Sequence, residues 1–255
     1  MLDPRSYPKS DSEAPPLLEV RRLSARYGLA QVLFGISLDV RRGEIVALMG
    51  RNGAGKSTTL KAIMGLVTAD CEHMTFAGRD IAGLSPFRIA RLGLGYVPEE
   101  RRIFADLTVF ENLEVGRRSP RGAGREPSNR EPWTLERLFT IFPNLAEMRG
   151  RRASAISGGE QQMLTIARTL MGNPDMVLLD EPSEGLAPVI VEQMADAVLR
   201  MKDAGLAVLL SEQNLHFAAA VCDRAVVIEK GAVRYEGTIE ALEADEAVRE
   251  SYLTV

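Results

Sequence analysis

Apolar and polar positions alternate, with lapses, along "LLEVRRLSARYG" (Leu17 to Gly28) and again along "LFGISLDVRRGE" (Leu33 to Glu44). A period of two predicts two half-buried strands. The first reads as the edge of an antiparallel sheet; the second places Phe34, Ile36, Leu38 and Val40 on one face and turns at Gly43. "EIVALMG" breaks the alternation. A short continuous apolar run of this kind predicts a strand covered on both faces. A helix is expected next, from about Lys56 to Gly65. The pattern then loosens through a strand and Gly turn ("MTFAGRDI"), a short helix opened by Ser85 and Pro86, a strand ("LGYVP") and an amphipathic helix ("WTLERLFTIFP").

Beyond Arg152 the order is regular. A helix from about Gly158 to Met171 is followed by "DMVLLD", a helix, "LAVLLS", a helix and "RAVVIEK". Strands alternating with helices predict a parallel sheet with crossovers, hence the α/β class. The mostly helical stretch of about 86–152 reads as a subdomain inserted into that sheet.

Composition changes this picture little. The chain has 255 residues, long enough for one large or two small units with a sizeable core. Its net charge of −4 gives no case for nucleic acid, which needs clustered cations. The arginine-bearing stretch 117–132 therefore reads as a solvated loop. Cys71 and Cys222 build no disulfide framework, so a reducing compartment is expected. His73 beside Cys71 and Glu72 does not make a metal site, because three adjacent residues on a strand cannot face one ion. No run reaches the roughly 18 apolar residues of a spanning helix. Residues 1–16, rich in Pro and Ser and without an apolar signal core, read as a disordered lead-in to a folded unit over 17–255. Contact with a membrane is then expected only through a partner.

The chemistry sits at two strand ends. "GRNGAGKST" supplies Gly50, Arg51, Asn52, Gly53, Ala54, Gly55, Lys56, Ser57 and Thr58 in the order of a phosphate-binding loop, between a buried strand and a helix. The glycines let backbone amides wrap a phosphate at a helix N-terminus. Lys56 is expected to reach the β- and γ-phosphates, and the Ser57 hydroxyl to take one place on Mg²⁺. "MVLLDEP" ends the other strand in Asp180 and Glu181. At the carboxyl end of a parallel sheet both face the ligand crevice. Asp180 is expected to hold Mg²⁺ through water and Glu181 to polarise an attacking water.

"ISGGEQQMLTIARTLM" (Ile156 to Met171) narrows the reading, since Ser157 and two glycines open an amphipathic helix just ahead of the acidic strand. Here the chain resembles the ATP-binding-cassette (ABC) ATPases over nearly everything after Leu17. The resemblance implies a phosphate-loop NTPase core with an antiparallel β-subdomain and an inserted helical subdomain. It also implies ATP with Mg²⁺, and a dimer in which Ser157, Gly158, Gly159 and Glu160 of one subunit close on the phosphate loop of the other. Tyr27 matches the aromatic that stacks on adenine. The segment from Glu99 to Leu113 matches the one that meets a membrane permease subunit, with Glu99 standing where glutamine is usual. "PSEGLAP" lacks the usual aspartate, and Gln213 in "LLSEQN" holds the place of the usual catalytic histidine.

Taken together these departures resemble the ATPases of branched-chain amino acid importers, with urea and amide cassettes close by. That likeness implies a peripheral subunit on the cytoplasmic face of the membrane, paired with a like or sister ATPase and served indirectly by a substrate-binding protein. Glu99 is then expected on Mg²⁺, and Gln213 to donate to a γ-phosphate oxygen without taking up a proton. Two further readings remain: a non-transport ABC ATPase, disfavoured by the single cassette and the lack of any coiled-coil array, and a small-molecule kinase with a phosphate loop, opposed by the Ser-Gly-Gly signature.

Overall fold

The computed structural model describes residues 15–118 and 130–252. The N-terminal lead-in through residue 14 and most of the arginine-bearing loop lie outside the described residues. In chain order the elements are β1 (Leu18–Tyr27), β2 (Ala30–Val40), β3 (Ile45–Met49), α1 (Lys56–Ile63), β4 (Ala69–Asp70), β5 (His73–Phe76), β6 (Arg79–Asp80), α2 (Pro86–Leu92) and β7 (Leu94–Val97). Then come α3 (Val109–Gly116), α4 (Leu135–Ile141), α5 (Pro143–Glu147), α6 (Gly158–Leu170), β8 (Met176–Asp180), α7 (Pro188–Asp203) and β9 (Ala207–Glu212). The chain closes with α8 (Leu215–Val221), β10 (Arg224–Glu229), β11 (Ala232–Thr238), α9 (Ile239–Ala244) and α10 (Glu246–Tyr252).

Two sheets stack. The larger has the order β11-β10-β3-β9-β8-β7 and is parallel except where β11 returns antiparallel to β10. The smaller is antiparallel in the order β2-β1-β5-β6, with β4 also paired to β1. The continuous apolar run of β3 serves both faces of the larger sheet. Ile45, Ala47 and Met49 join a core with α3 to α8, while Val46 and Leu48 join a second core with α1 and the antiparallel sheet. β8, β9 and β10 divide their side chains the same way, so the parallel sheet forms the wall between the two cores.

Two expectations are corrected. β1 is not an edge strand: β2 flanks it on one side and β4 and β5 on the other. Phe34 does not share a face with Ile36, Leu38 and Val40; it is 55% exposed while Leu33 is buried. The register slips between Leu23↔Ile36 and Ser24↔Phe34, and Gly35 at φ +78° supplies the extra residue of a bulge that reverses the alternation. β7, expected as a strand, lies inside 86–152 and pairs parallel with β8 at the edge of the larger sheet.

Candidate functional site

β3, β9 and β8 are neighbours, so their carboxyl ends converge. After Met49 the chain turns through Gly50 (φ +151°), Gly53 (+78°) and Gly55 (+109°) into α1. Only glycine takes such angles cheaply. A methyl at Gly50 would collide with the Ile228 carbonyl oxygen, and one at Gly55 would lie 2.8 Å from Leu33 Cδ2. The bare backbone leading into α1 forms an anion cradle with the helix dipole behind it. Arg51, Asn52 and Gly53 are exposed at its rim, Ala54 is buried, and Ser57 and Thr58 are half-buried in the first turn. Lys56 is only 3% exposed. Its Nζ donates to the carbonyls of Gly50 (2.8 Å) and Arg51 (3.3 Å) and stands 3.0 Å from Glu181 Oε1.

At the end of β8, Asp180 is buried and its two oxygens accept separately. The Ser211 hydroxyl donates to Oδ1 (2.7 Å) and the Tyr96 hydroxyl to Oδ2 (3.0 Å). Burial and the neighbouring Asp180 charge drive the Tyr96 hydroxyl far upward, so it stays a donor. Each carboxylate oxygen keeps a second lone pair for a water or an ion. Glu181 takes a left-handed backbone (φ +47°), and its amide donates to the Ser211 carbonyl and hydroxyl, both at 3.1 Å. Burial pushes the Glu181 carboxyl up, but the hydrogen bond with Glu184 and the Lys56 ammonium outweigh it and hold the group below the usual range. Glu184 is the counterpart: its hydrogen bond to Glu181, then burial and the Glu181 charge, raise it to about 7. The pair therefore holds one proton, on the Glu184 side, only below about pH 7.

β9 brings the third edge. Glu212 is buried, and its carboxyl accepts from the amides of Ser183 (3.1 Å), Gln213 (3.1 Å) and Asn214 (3.2 Å). Burial raises its pKa against those three amides. The buried carboxylate thereby ties the loop after β8 to the turn holding Gln213, which lies half-buried beside the phosphate loop and Asp180. Tyr27 stands 49% exposed at the end of β1.

The other expected residues lie apart from the phosphate loop within one chain. Ser157 caps α6: its hydroxyl accepts from the Glu160 amide (3.3 Å) while the Glu160 carboxylate accepts from the Ser157 amide (2.7 Å). Glu160 is thus engaged in its own capping box, which stabilises a helix start by about 1 kcal/mol. Gly158 packs under the Arg101 guanidinium and Gly159 against Ile190. Beside them a cavity of about 210 Å³ is lined by Glu99, Glu100, Arg101, Gln162, Glu181, Glu184 and Leu186. Burial first, then the charges of Glu181, Asp180 and Glu100, raise the Glu99 carboxyl. Four acidic groups thus line one small space together with Arg101, and among the described residues no group of three or more His, Cys, Asp or Glu is arranged to hold a metal ion.

Sequence reasoning missed Tyr96, Ser211, Glu212 and Glu184. Ser211 and Glu212 carried a signal, being polar residues inside an apolar strand that points at the phosphate loop. Tyr96 carried none, since a strand tyrosine is ordinary. Among the described residues, no helix is long and apolar enough to cross a membrane.

Comparison with known proteins agrees with this geometry. Residues 33–184 match the family model described as "ABC transporter". The chain is 40% identical over 237 residues to the high-affinity branched-chain amino acid transport ATP-binding protein BraG of Pseudomonas aeruginosa, covering 93% of this chain and 99% of that one. It is 35% identical to the lipopolysaccharide export system ATP-binding protein LptB of Haemophilus influenzae, covering 93% and 97%. A solved ATP-binding cassette of an ABC transporter, in its ADP conformation, superposes with a TM-score of 0.77 at 28% identity, covering 93% and 98%. The two converging strand ends, the capped Ser-Gly-Gly helix and these likenesses together make the chain a member of the ABC transporter family, an ATP-hydrolysing cassette.

Proposed function

We propose that this cassette energises import of branched-chain or other hydrophobic amino acids, as a peripheral subunit on the cytoplasmic face of the membrane. The single observation carrying the site assignment is the meeting of Lys56 and Glu181 at 3.0 Å, where the phosphate loop faces the acidic strand end. An arriving γ-phosphate competes for Lys56 and frees Glu181. Glu181, held ionised, then accepts the proton of the attacking water, while Lys56 and the loop amides balance charge on the phosphoryl oxygens. Gln213 donates its amide N–H to a γ-phosphate oxygen and contributes no titration of its own. Ser57, Asp180 and Glu99 would hold Mg²⁺, which supplies charge neutralisation when bound; the donor set is all oxygen and suits a hard cation. Tyr27 stacks on the adenine, and Ser157, Gly158 and Gly159 close on the nucleotide of a second subunit. The segment from Glu99 to Leu113 offers exposed Phe104 and Phe110 to a permease subunit, and a substrate-binding protein delivers the cargo.

The likeness to BraG favours import of branched-chain amino acids. The likeness to LptB keeps lipopolysaccharide export as a second reading. Affinity purification from membranes separates them: co-purifying amino acid permeases support the first, and lipopolysaccharide export partners replace it. For the site, Glu181→Gln is expected to reduce ATP turnover by about a thousandfold or more and to trap an ATP-bound dimer in light scattering. Retained turnover would remove Glu181 as the base.

A further inference from the structure

Gln162 is the anomaly of the molecule. It is 3% exposed, and neither its Nε2 nor its Oε1 meets a hydrogen-bond partner among the described residues. A carboxamide left so carries the full desolvation of a donor and an acceptor. It is not isolated from polar groups, because Arg101, Glu181 and Glu184 line the same cavity.

The neighbours are arranged along one row of α6. Gly158, Gln162 and Thr165 follow helical spacing on one face. Arg101 lies along that row: its Nη1 is 2.5 Å from where a Gly158 Cβ would stand, and the Thr165 hydroxyl donates to its carbonyl. Arg101 and Arg102 both take left-handed backbone angles (φ +61° and +46°), and Arg168 donates to the Arg102 carbonyl at 2.6 Å. Across the cavity Glu181 is left-handed as well. Two loops under backbone strain thus face each other over one unpartnered amide. Strain of this kind is held in place by the surrounding structure and clusters at active sites, ligand clamps and switch regions.

We propose that Gln162 is a positioning residue that joins these loops when nucleotide is bound, Nε2 donating to the Glu184 carboxyl and Oε1 accepting from the Arg101 guanidinium. The bridge sets the loop that carries Glu181 relative to the segment after β7, so the state of one loop reaches the other through a single side chain. The proposal rests on the assignment of Glu181 as the base.

The test compares Gln162→Met with the unaltered full chain, in turnover and in melting temperature with and without Mg-ATP. Without nucleotide, Met is expected to raise the melting temperature by a few degrees, because it fills the same volume and leaves no buried polar atom. With Mg-ATP the added stabilisation should be smaller in the variant, because the bridge cannot form. Turnover should fall by about tenfold, with KM for ATP within about twofold. In a double-mutant cycle with Glu184→Leu, the losses in kcat should be less than additive. Unchanged turnover together with an unchanged nucleotide-induced shift overturns the proposal, and additive losses overturn Glu184 as the partner. Glu181→Gln, run alongside, reports on the base alone, so failure of that assignment is seen separately.

Discussion

Glu184 is shifted to hold its proton up to about pH 7 while Glu181 is shifted the other way, and the sign of the resulting pH dependence follows from that. A carboxyl raised to about 7 in the fold, from 4.5, is stabilising while it stays protonated. That stability is complete below the ordinary carboxylate value and is lost as pH climbs through about 7. Glu181, held low by Glu184 and Lys56, acts oppositely: its share is present above the ordinary value and is lost on acidification. The pair is therefore best served in mildly acidic solution. Glu184→Gln keeps a donor toward Glu181 and cannot ionise. Its melting temperature is expected to stay level between about pH 6 and 8, where the unaltered chain declines. Parallel curves would deny the shared proton. At the neighbouring position, Gln213→His is expected to introduce a limb near pH 6.5 into the ATPase profile, since the imidazole titrates there and an amide does not. A profile unmoved by that change would remove Gln213 from contact with the phosphate.

At the scale of elements, the strand-to-helix turn into α1 depends on missing side chains. Gly50→Ala forces a methyl onto the Ile228 carbonyl while the backbone stays at φ +151°. A loss of about 1–3 kcal/mol is expected in urea unfolding, with nucleotide binding weakened by about tenfold or more as the loop shifts. Equal stability and equal binding of a fluorescent ATP analogue would contradict it. This turn was legible in advance because its requirement is local: glycines, a lysine and a helix start in fixed order. The continuous apolar run of β3 was legible for the same reason. β1 was not, because alternation reports which face of a strand is buried and is silent on how many neighbours it has. The inversion at Phe34 was hidden in one glycine, which the period-two pattern counts as neutral. LGYV was legible as a strand, but the sheet it joins shows only in its pairing with β8. Within the site, Lys56, Asp180 and Glu181 were legible as motif residues. The role of Glu184 exists only through a neighbour, and Gln162 reads as one more polar position on an amphipathic helix.

At the scale of the whole molecule, one guanidinium joins the two sheets. Arg224, at the start of β10, donates to Glu44 (2.7 Å), to Glu236 on β11 (2.7 Å), and to the carbonyl and carboxylate of Asp39 on β2 (2.8 and 3.2 Å). Burial opposes its charge, but Glu44, Asp39 and Glu236 more than compensate and raise its pKa. The parallel and antiparallel sheets share the core that both pack against, and Arg224 closes that contact at its edge. Arg224→Leu would leave three carboxylates around an apolar side chain. Breaking a largely buried pair costs about 3–5 kcal/mol, and the partial exposure of these groups places the expected loss near the lower end. Arg224→Lys should recover less than half, because the three N–H groups of a compact ammonium cannot span the four acceptor atoms that the planar guanidinium reaches. The deficit of the leucine variant is expected to shrink as pH falls. Glu236, already raised by burial, takes up a proton first and relieves the repulsion. Urea unfolding at about pH 8 and pH 5 measures both effects. A deficit below about 1 kcal/mol at the higher pH, or one that grows on acidification, would show that Arg224 does not hold the sheets together.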